Sequence, residues 1–299
     1  MFAYVDLEAR VSPNHPLRRI KVLADTALAG MDSSLTSLYK PLGRESIPPE
    51  QLLKASLLQI IYGIRSERQL VERIDDSMTF RWFLDLGLDG VVWVPTVYSH
   101  NRDRLLCSDV ARRFLSEIVQ QATSKGFVSS EHFSVDGTLL QAWASTKGFE
   151  RIPPDSDGPG GAGPTEESTP GTPTAKDVMR DFKGQKFSNA THRSKSDPDA
   201  RLARKGDFVA AKPSYLGNAL MENRSGLVID GEVRLAAFDG GETSAALALV
   251  DRLEGDHEIT LGADKGYDSE DFVDSCMRMK TLAHVAENKA TTSTQSLLQ

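Results

Sequence analysis

The stretch Glu131-His132-Phe133-Ser134-Val135-Asp136-Gly137-Thr138-Leu139 decides the fold. Its alternation sets Phe133 and Val135 on one face and Ser134, Asp136 and Thr138 on the other, as in a strand with one buried face. Upstream of it the chain reads as helix almost throughout. Downstream, strands and helices alternate. The 299 residues carry 35 Lys+Arg against 42 Asp+Glu, a net charge of −7. That length suggests two domains, each large enough for its own core. The acidity argues against a basic nucleic-acid coat protein but not against a local basic site.

Helical spacing in the first part starts at Pro16, where Leu17, Ile20, Ala24 and Leu28 share a face. Pro48-Pro49-Glu50 suits a helix start, and the helix that follows is apolar nearly all round (Leu52, Leu53, Leu57, Leu58, Ile60, Ile61), as at the centre of a bundle. Ser66-Glu67-Arg68-Gln69 has the form of a capping box. Thr79 to Leu86, Pro95 to Leu106 and Ser108 to Ser124 complete an all-helical domain over residues 1–128. Trp82, Phe83 and Trp93 suit packing between helices. Cys107 and Cys276 form no C-x-x-C pair, which excludes a disulfide scaffold and a cysteine-based zinc site. The first residues lack the basic and apolar regions of a signal peptide, so a reducing cytoplasm is expected, without a membrane partner.

Residues 129–299 read as an α/β domain. Between Arg151 and Lys176 six prolines and five glycines indicate a flexible insertion over 151–176. Order is expected to return near Tyr215, with strands Tyr215–Glu222, Leu227–Ile229 and Val233–Phe238 separated by turns at Asn223-Arg224-Ser225-Gly226 and Asp230-Gly231. A helix over Thr243–Leu253, a strand Ile259–Ala263, a helix capped by Asp268 and a strand Thr281–Val285 follow. Antiparallel strands and then β-α-β-α-β make a mixed sheet with flanking helices.

Asp136 and Asp264 each end an apolar strand in this reading. Such ends converge at the carboxyl edge of an α/β sheet, where paired carboxylates hold Mg²⁺. Asp-Gly also suits a hairpin turn, and an aspartate after a strand also caps helices; both readings stand at this point. Asp268 and Ser269 supply the next cap, which leaves Asp264 without that duty. From Lys183 to Pro213 eight basic and three acidic residues give +5 inside an acidic chain. His192, Arg193, Lys195, Arg201, Arg204 and Lys205 of this loop are candidate phosphate contacts, with a solvated linker as the plain alternative. His100, Asn101, Arg102 and Arg104 share a helix and suit DNA contact, or an ordinary charged face.

Four runs, Ser46–Leu53, Tyr62–Leu70, Phe80–Phe83 and Asn101–Leu106, resemble the N-terminal domain of bacterial insertion-sequence DDE transposases. Asp197–Arg201, Leu220–Arg224 and Ala263–Asp268 resemble the same family's catalytic domain. The resemblance implies an RNase H-like domain, Mg²⁺ or Mn²⁺ as cofactor, and cleavage and transfer of DNA strands at element ends. Asp136 matches the first catalytic and metal-binding aspartate and Asp264 the second. It further implies double-stranded DNA (terminal repeats and target) as the partner, end recognition by the helical domain, a homodimer as a candidate assembly, and a nucleoid-associated location. The family's third carboxylate is a glutamate on a basic downstream helix, which Val285-Ala286-Glu287-Asn288-Lys289-Ala290 does not resemble; Glu287 is not assigned that role. A catalytic domain incomplete at its C-terminal side is the expectation, with an end-binding protein lacking catalysis as the alternative.

Overall fold

The computed structural model describes residues 5–37, 47–106, 109–144, 148–152, 188–204, 209–236, 241–253, 255 and 258–286. Most of the expected insertion, together with Cys107, Lys183, Lys186, Lys205 and Glu287, lies outside them. The chain divides into two compact units, residues 1–127 and 128–299.

The first unit is helical: α1 (Leu7–Arg10), α2 (Pro16–Ser37), α3 (Pro49–Ile61), α4 (Glu67–Asp76), α5 (Met78–Phe83), α6 (Pro95–Leu106) and α7 (Val110–Ser124). The start signals act as their chemistry requires. Pro49 opens α3 where no intrahelical N–H partner is needed. The Ser66 hydroxyl accepts the Gln69 amide at 3.2 Å, capping α4. Leu17, Leu28, Leu52, Leu58, Leu70, Ile74 and Phe83 form one core.

Helix α3 departs from the all-round burial expected of it. Leu52, Ala55 and Leu58 make a buried stripe, whereas Ile60 is 76 % exposed and Ile61 also faces solvent. Packing against α2, α4 and α6 uses that one stripe, and the last turn falls outside it. Lys54, by contrast, is buried. Its ammonium meets Asp25 and lies 2.6 Å from Asp85, which also takes Lys21 at 2.6 Å. Burial opposes the Lys54 charge, but the two carboxylates prevail and raise its pKa.

The second unit contains β1 (His132–Gln141), β2 (Phe149–Arg151), β3 (His192–Ser194), β4 (Arg201–Ala203), β5 (Lys212–Glu222), β6 (Val228–Leu235), α8 (Gly241–Asp251), β7 (Ile259–Ala263), α9 (Glu270–Arg278) and β8 (Thr281–Val285). The main sheet runs β4-β5-β1-β7-β8, with β6 also paired to β5. Strands β1, β5 and β6 are antiparallel neighbours, while β1, β7 and β8 run parallel. The fold is therefore a mixed α+β arrangement. Phe133, Val135, Leu220 and Leu261 pack with Ala246, Leu249, Phe272 and Cys276 of α8 and α9. Burial holds the Cys276 thiol largely protonated, with its pKa up at about 11.

Two expectations about strands change. Asp230-Gly231 is not a turn, because β6 pairs with β5 through that point, with Ala219 opposite Gly231 and Leu220 opposite Asp230. Order returns by residue 188 rather than near Tyr215: His192–Ser194 pairs with Phe149–Arg151, and Arg201–Ala203 joins the edge of β5. Three-residue strands have no readable period, so their side chains carried no signal.

The β5–β6 turn is clamped by Glu222, which is fully buried. Its carboxylate accepts the Ser129 hydroxyl at 2.5 Å, the Ser225 hydroxyl at 2.5 Å and the Ser225 amide at 2.7 Å. These donors, Ser129 first, hold its pKa at about 2, against an ordinary 4.5. A carboxyl with a lowered folded pKa stabilises the fold above its unfolded value and loses that contribution as pH falls through the folded one. Unfolding titrations between pH 5 and 2 are therefore expected to show a loss of stability that Glu222→Gln reduces, with the variant already weaker at pH 7. Equal acid sensitivity in both proteins would remove Glu222 from this role.

Candidate functional site

The site begins with strand register. Parallel pairing of β1 with β7 sets His132 beside Thr260, Phe133 beside Leu261 and Ser134 beside Gly262. Each pair is 128 residues apart in sequence. Gly262 allows this approach, since a Cβ there would meet the Ser134 hydroxyl at 3.1 Å. Asp136 follows two residues after the last paired position of β1, and Asp264 two residues after that of β7, so both lie just beyond the paired segment of these neighbouring strands. Both are exposed.

Neither aspartate stands quite where the sequence suggested. Asp136 lies mid-strand, because β1 continues to Gln141 against β5. It is neither a strand end nor a hairpin tip. β7 stops at Ala263, so beyond Ser134 the β7 side of β1 has no strand pairing among the described residues. Asp264 does have a capping duty: its Oδ1 accepts the Gly266 amide at 2.9 Å, at the head of a short 3-10 helix over Lys265–Tyr267. One oxygen engaged in this way leaves the other to a ligand. Ser269, not Asp268, precedes α9 as its cap residue.

Two neighbours of the pair had no sequence signal attached to them. Glu242, in the first turn of α8, lies against the backbone of Gly137; a Cβ on Gly137 would meet its Cδ at 2.7 Å. Tyr267 is fully buried, and its hydroxyl has no hydrogen-bond partner among the described residues. Burial, and then the charges of Glu242, Asp136 and Asp264, push its phenol pKa well above the ordinary value. The signal that could have pointed to Glu242 is the glycine itself, since glycine inside a strand often marks a close approach.

Asp136 and Asp264 supply hard oxygen donors, the type that Mg²⁺ takes, and that ion is commonly held by one or two carboxylates plus phosphate oxygens and water. The donor set fits such an ion. Among the described residues no three His, Cys, Asp or Glu side chains close into a ready-made cage.

The candidate DNA contacts are scattered in role. Of the α6 set, His100 is exposed. Asn101 is buried and donates its side-chain amide to the Val97 carbonyl at 2.7 Å. Arg102 pairs with Glu67 at 2.5 Å and lies over the Tyr98 ring. Both thus have partners within the helical unit, Asn101 buried and Arg102 half-buried; the side chain of Arg104 is outside the described set. In the basic segment His192 is a buried strand residue rather than a loop residue, 2.8 Å from the Thr191 hydroxyl, and burial lowers its pKa. Arg193 pairs with Glu150 at 3.3 Å, and Arg201 donates to the Pro198 carbonyl at 2.7 Å. Lys195 is exposed and Arg204 half-buried. Among the described residues no helix is long and apolar enough to cross a membrane.

No curated protein matches the chain. Among solved structures it is similar to a piggyBac transposase synaptic complex with hairpin DNA, at 10 % identity and a TM-score of 0.35, over 90 % of this chain and 49 % of that one. It is also similar to a Mos1 transposase paired-end complex with the left transposon end, at 10 % identity and a TM-score of 0.24, over 91 % and 78 %. A pre-cleavage Mos1 transpososome gives 10 % identity and a TM-score of 0.23, over 99 % and 85 %. The chain spans about half the length of the piggyBac transposase chain. Residues 5–104, within the helical unit, are similar to the family model described as "Transposase domain (DUF772)".

Proposed function

We propose that the chain is a DDE-type transposase, whose second unit is RNase H-like and cleaves and transfers DNA strands at the ends of an insertion sequence. The observation that supports this reading is the parallel pairing of β1 with β7, since Asp136 lies on β1 just past the paired segment and Asp264 follows β7 directly. The mixed sheet with helices α8 and α9 against it suits an RNase H-like domain, and the transposase-domain similarity of residues 5–104 supports DNA as the partner.

Asp136 and Asp264 would hold the divalent cation. Bound there, Mg²⁺ or Mn²⁺ would supply charge neutralisation at the phosphate and activation of the attacking hydroxyl. The mid-strand position of Asp136 restricts its backbone through pairing with Ala219, and the Gly266 amide orients Asp264, so the chain presents both carboxylates with little freedom to lose. The test is nicking of duplex DNA bearing the element ends, in Mg²⁺ and in EDTA. Metal-dependent nicking at the ends is expected. End binding without nicking in either condition would instead favour a recognition protein that lacks catalysis.

The basic segment would add sequence-independent affinity for the phosphate backbone. Neutralising Arg193, Lys195, Arg204 and Lys205 together is expected to flatten the plot of log affinity against log salt, by about 0.9 for each phosphate no longer neutralised. An unchanged slope would remove this segment from the DNA interface.

A further inference from the structure

We propose that Trp143 is a stacking platform for an unpaired nucleobase and that Lys212 receives the phosphate beside it. The inference rests on the reading of DNA as the partner, given above, and adds a site for its single-stranded form. It begins from exposure. Trp82 is buried, and Trp93 is half-buried with its ring stacked on Tyr98 at 6.3 Å. Trp143 is 95 % exposed, more than any other large apolar side chain among the described residues.

The ring is exposed although the backbone beneath it is held. Ala142 donates its amide to the Pro213 carbonyl at 2.8 Å, which prolongs the β1–β5 pairing past Gln141 and Ser214. Ala144, on the other side of Trp143, is buried. A bulky side chain between two small, anchored residues has no large sequence neighbour to cover it. The sheet thereby fixes where the indole starts, and less freedom is lost when a ligand covers it.

Charge decides what covers the ring. Lys212 precedes Pro213, so Trp143 and Lys212 are each one residue from the same backbone hydrogen bond. Lys212 is exposed, and its ammonium donates to the Gln141 side-chain oxygen at 3.3 Å, a neutral partner that leaves the charge intact. Arg201 shares a rung of the sheet with Ser214 and Gln141. Neither Lys212 nor the exposed Lys195 pairs with a carboxylate among the described residues. Leu140, earlier in β1, lies over Gly217. A protein partner calls for a contiguous apolar patch, whereas here one aromatic ring adjoins a cation, a glutamine and two alanines. A nucleotide matches that combination, since its base offers a flat face to the indole and its phosphate meets the lysine. Bases within a duplex hide their faces in the stack, so the ligand is an unpaired one.

The experiment titrates the full chain, in EDTA so that no cleavage intervenes, with a single-stranded oligothymidylate of about 12 nucleotides and with a duplex of equal length. Anisotropy of the labelled DNA reads affinity, and tryptophan emission reads contact with the ring. The native protein is expected to bind the single strand with quenching of its emission. Trp143→Leu keeps an apolar side chain but no ring. It is expected to lose the quenching and about tenfold to hundredfold in single-strand affinity, with duplex affinity unchanged. Trp143→Phe restores most of the single-strand affinity. Lys212→Gln is expected to lower the slope of log affinity against log salt by about 0.7. Both positions are exposed, so the fold tolerates these changes, and circular dichroism verifies it.

Native single-strand affinity in Trp143→Leu, or quenching that survives in it, would overturn the platform and leave DNA as the partner standing. Equal weakening toward single strand and duplex would overturn it too, because the effect would not belong to unpaired bases. Phenylalanine no better than leucine would overturn stacking as the cause, and an unchanged salt slope in Lys212→Gln would remove Lys212 from the site. Binding of neither DNA by the native protein would overturn both this site and the reading of DNA as the partner.

Discussion

Alanine at either Asp136 or Asp264 is expected to lower metal-dependent nicking of end-bearing DNA by on the order of a thousandfold, about 4 kcal/mol of transition-state stabilisation. In the proposed centre the two aspartates would act on one cation, one from β1 and one from the residue that follows β7, so neither would suffice alone. The double variant should then be scarcely worse than either single one, because groups that work as a unit are non-additive. Binding to the same DNA should stay within a fewfold of native, since neither carboxylate attracts phosphate without a cation. Asp264→Ala also removes the acceptor for the Gly266 amide, so its 3-10 turn is expected to loosen slightly, a cost of about 1 kcal/mol. Asp136 has no capping duty, and its alanine variant should retain native stability. Activity unchanged in either variant removes the catalytic assignment of that residue.

The second large effect belongs to the helical unit. Arg81→Ala is expected to destabilise it by about 2–4 kcal/mol. Arg81 is buried at the end of α5 and fastens the chain that leaves it. One guanidinium nitrogen donates to the carbonyls of Gly87 at 3.0 Å and Gly90 at 2.8 Å, while Nε donates to the Asp75 carbonyl at 3.1 Å. The ion pair with Asp75, 2.5 Å away, adds little by itself because that carboxylate is exposed. What the variant loses is mainly the planar fork that ties α4, α5 and the loop to α6 together. Lysine cannot reproduce that fork and should recover only part of the loss. Tryptophan fluorescence follows the unfolding, since Trp82 and Trp93 lie in this unit and Trp143, at 95 % exposure, changes its surroundings little. A change below about 0.5 kcal/mol would show that the loop holds without Arg81.

Elements with chemical punctuation are legible in the sequence itself. Pro49, Ser66 and Pro95 each mark a helix start through a lost N–H or a capping oxygen, and α3, α4 and α6 begin there. The short strands Ile259–Ala263 and Thr281–Val285 are equally plain: β7, paired on both sides by β1 and β8, reads as an apolar run, and β8 at the sheet edge alternates buried and exposed residues. What escaped reading depends on tertiary partners. Ile60 and Ile61 look like core until α2, α4 and α6 are seen to cover one stripe of α3. Asp230-Gly231 looks like a turn until β5 is seen to supply a continuous partner, and strand pairing then outweighs turn propensity. Asn101 and Arg102 have the chemistry of DNA contacts, yet Val97 and Glu67 engage them within the helical unit.

The site divides in the same way. Asp136 and Asp264 stand out as candidates because each follows an apolar stretch and each fits the transposase resemblance, although β1 continues past Asp136. Their neighbours do not. Glu242 lies in an Ala/Leu-rich helix and reads as an ordinary first-turn acid that favours the helix dipole. Its nearness to Asp136 follows only from the approach of α8 to Gly137. Tyr267 reads as one more aromatic beside a glycine, and only its depth shows that the hydroxyl lacks a partner among the described residues.

The most direct measurement is the anomalous scattering of Mn²⁺ in a crystal of the whole chain. A centre formed by Asp136 and Asp264 predicts a peak at about 2.1 Å from a carboxylate oxygen of each. Crystals saturated with Mn²⁺ that show no peak there, or show one only at other carboxylates, would contradict it.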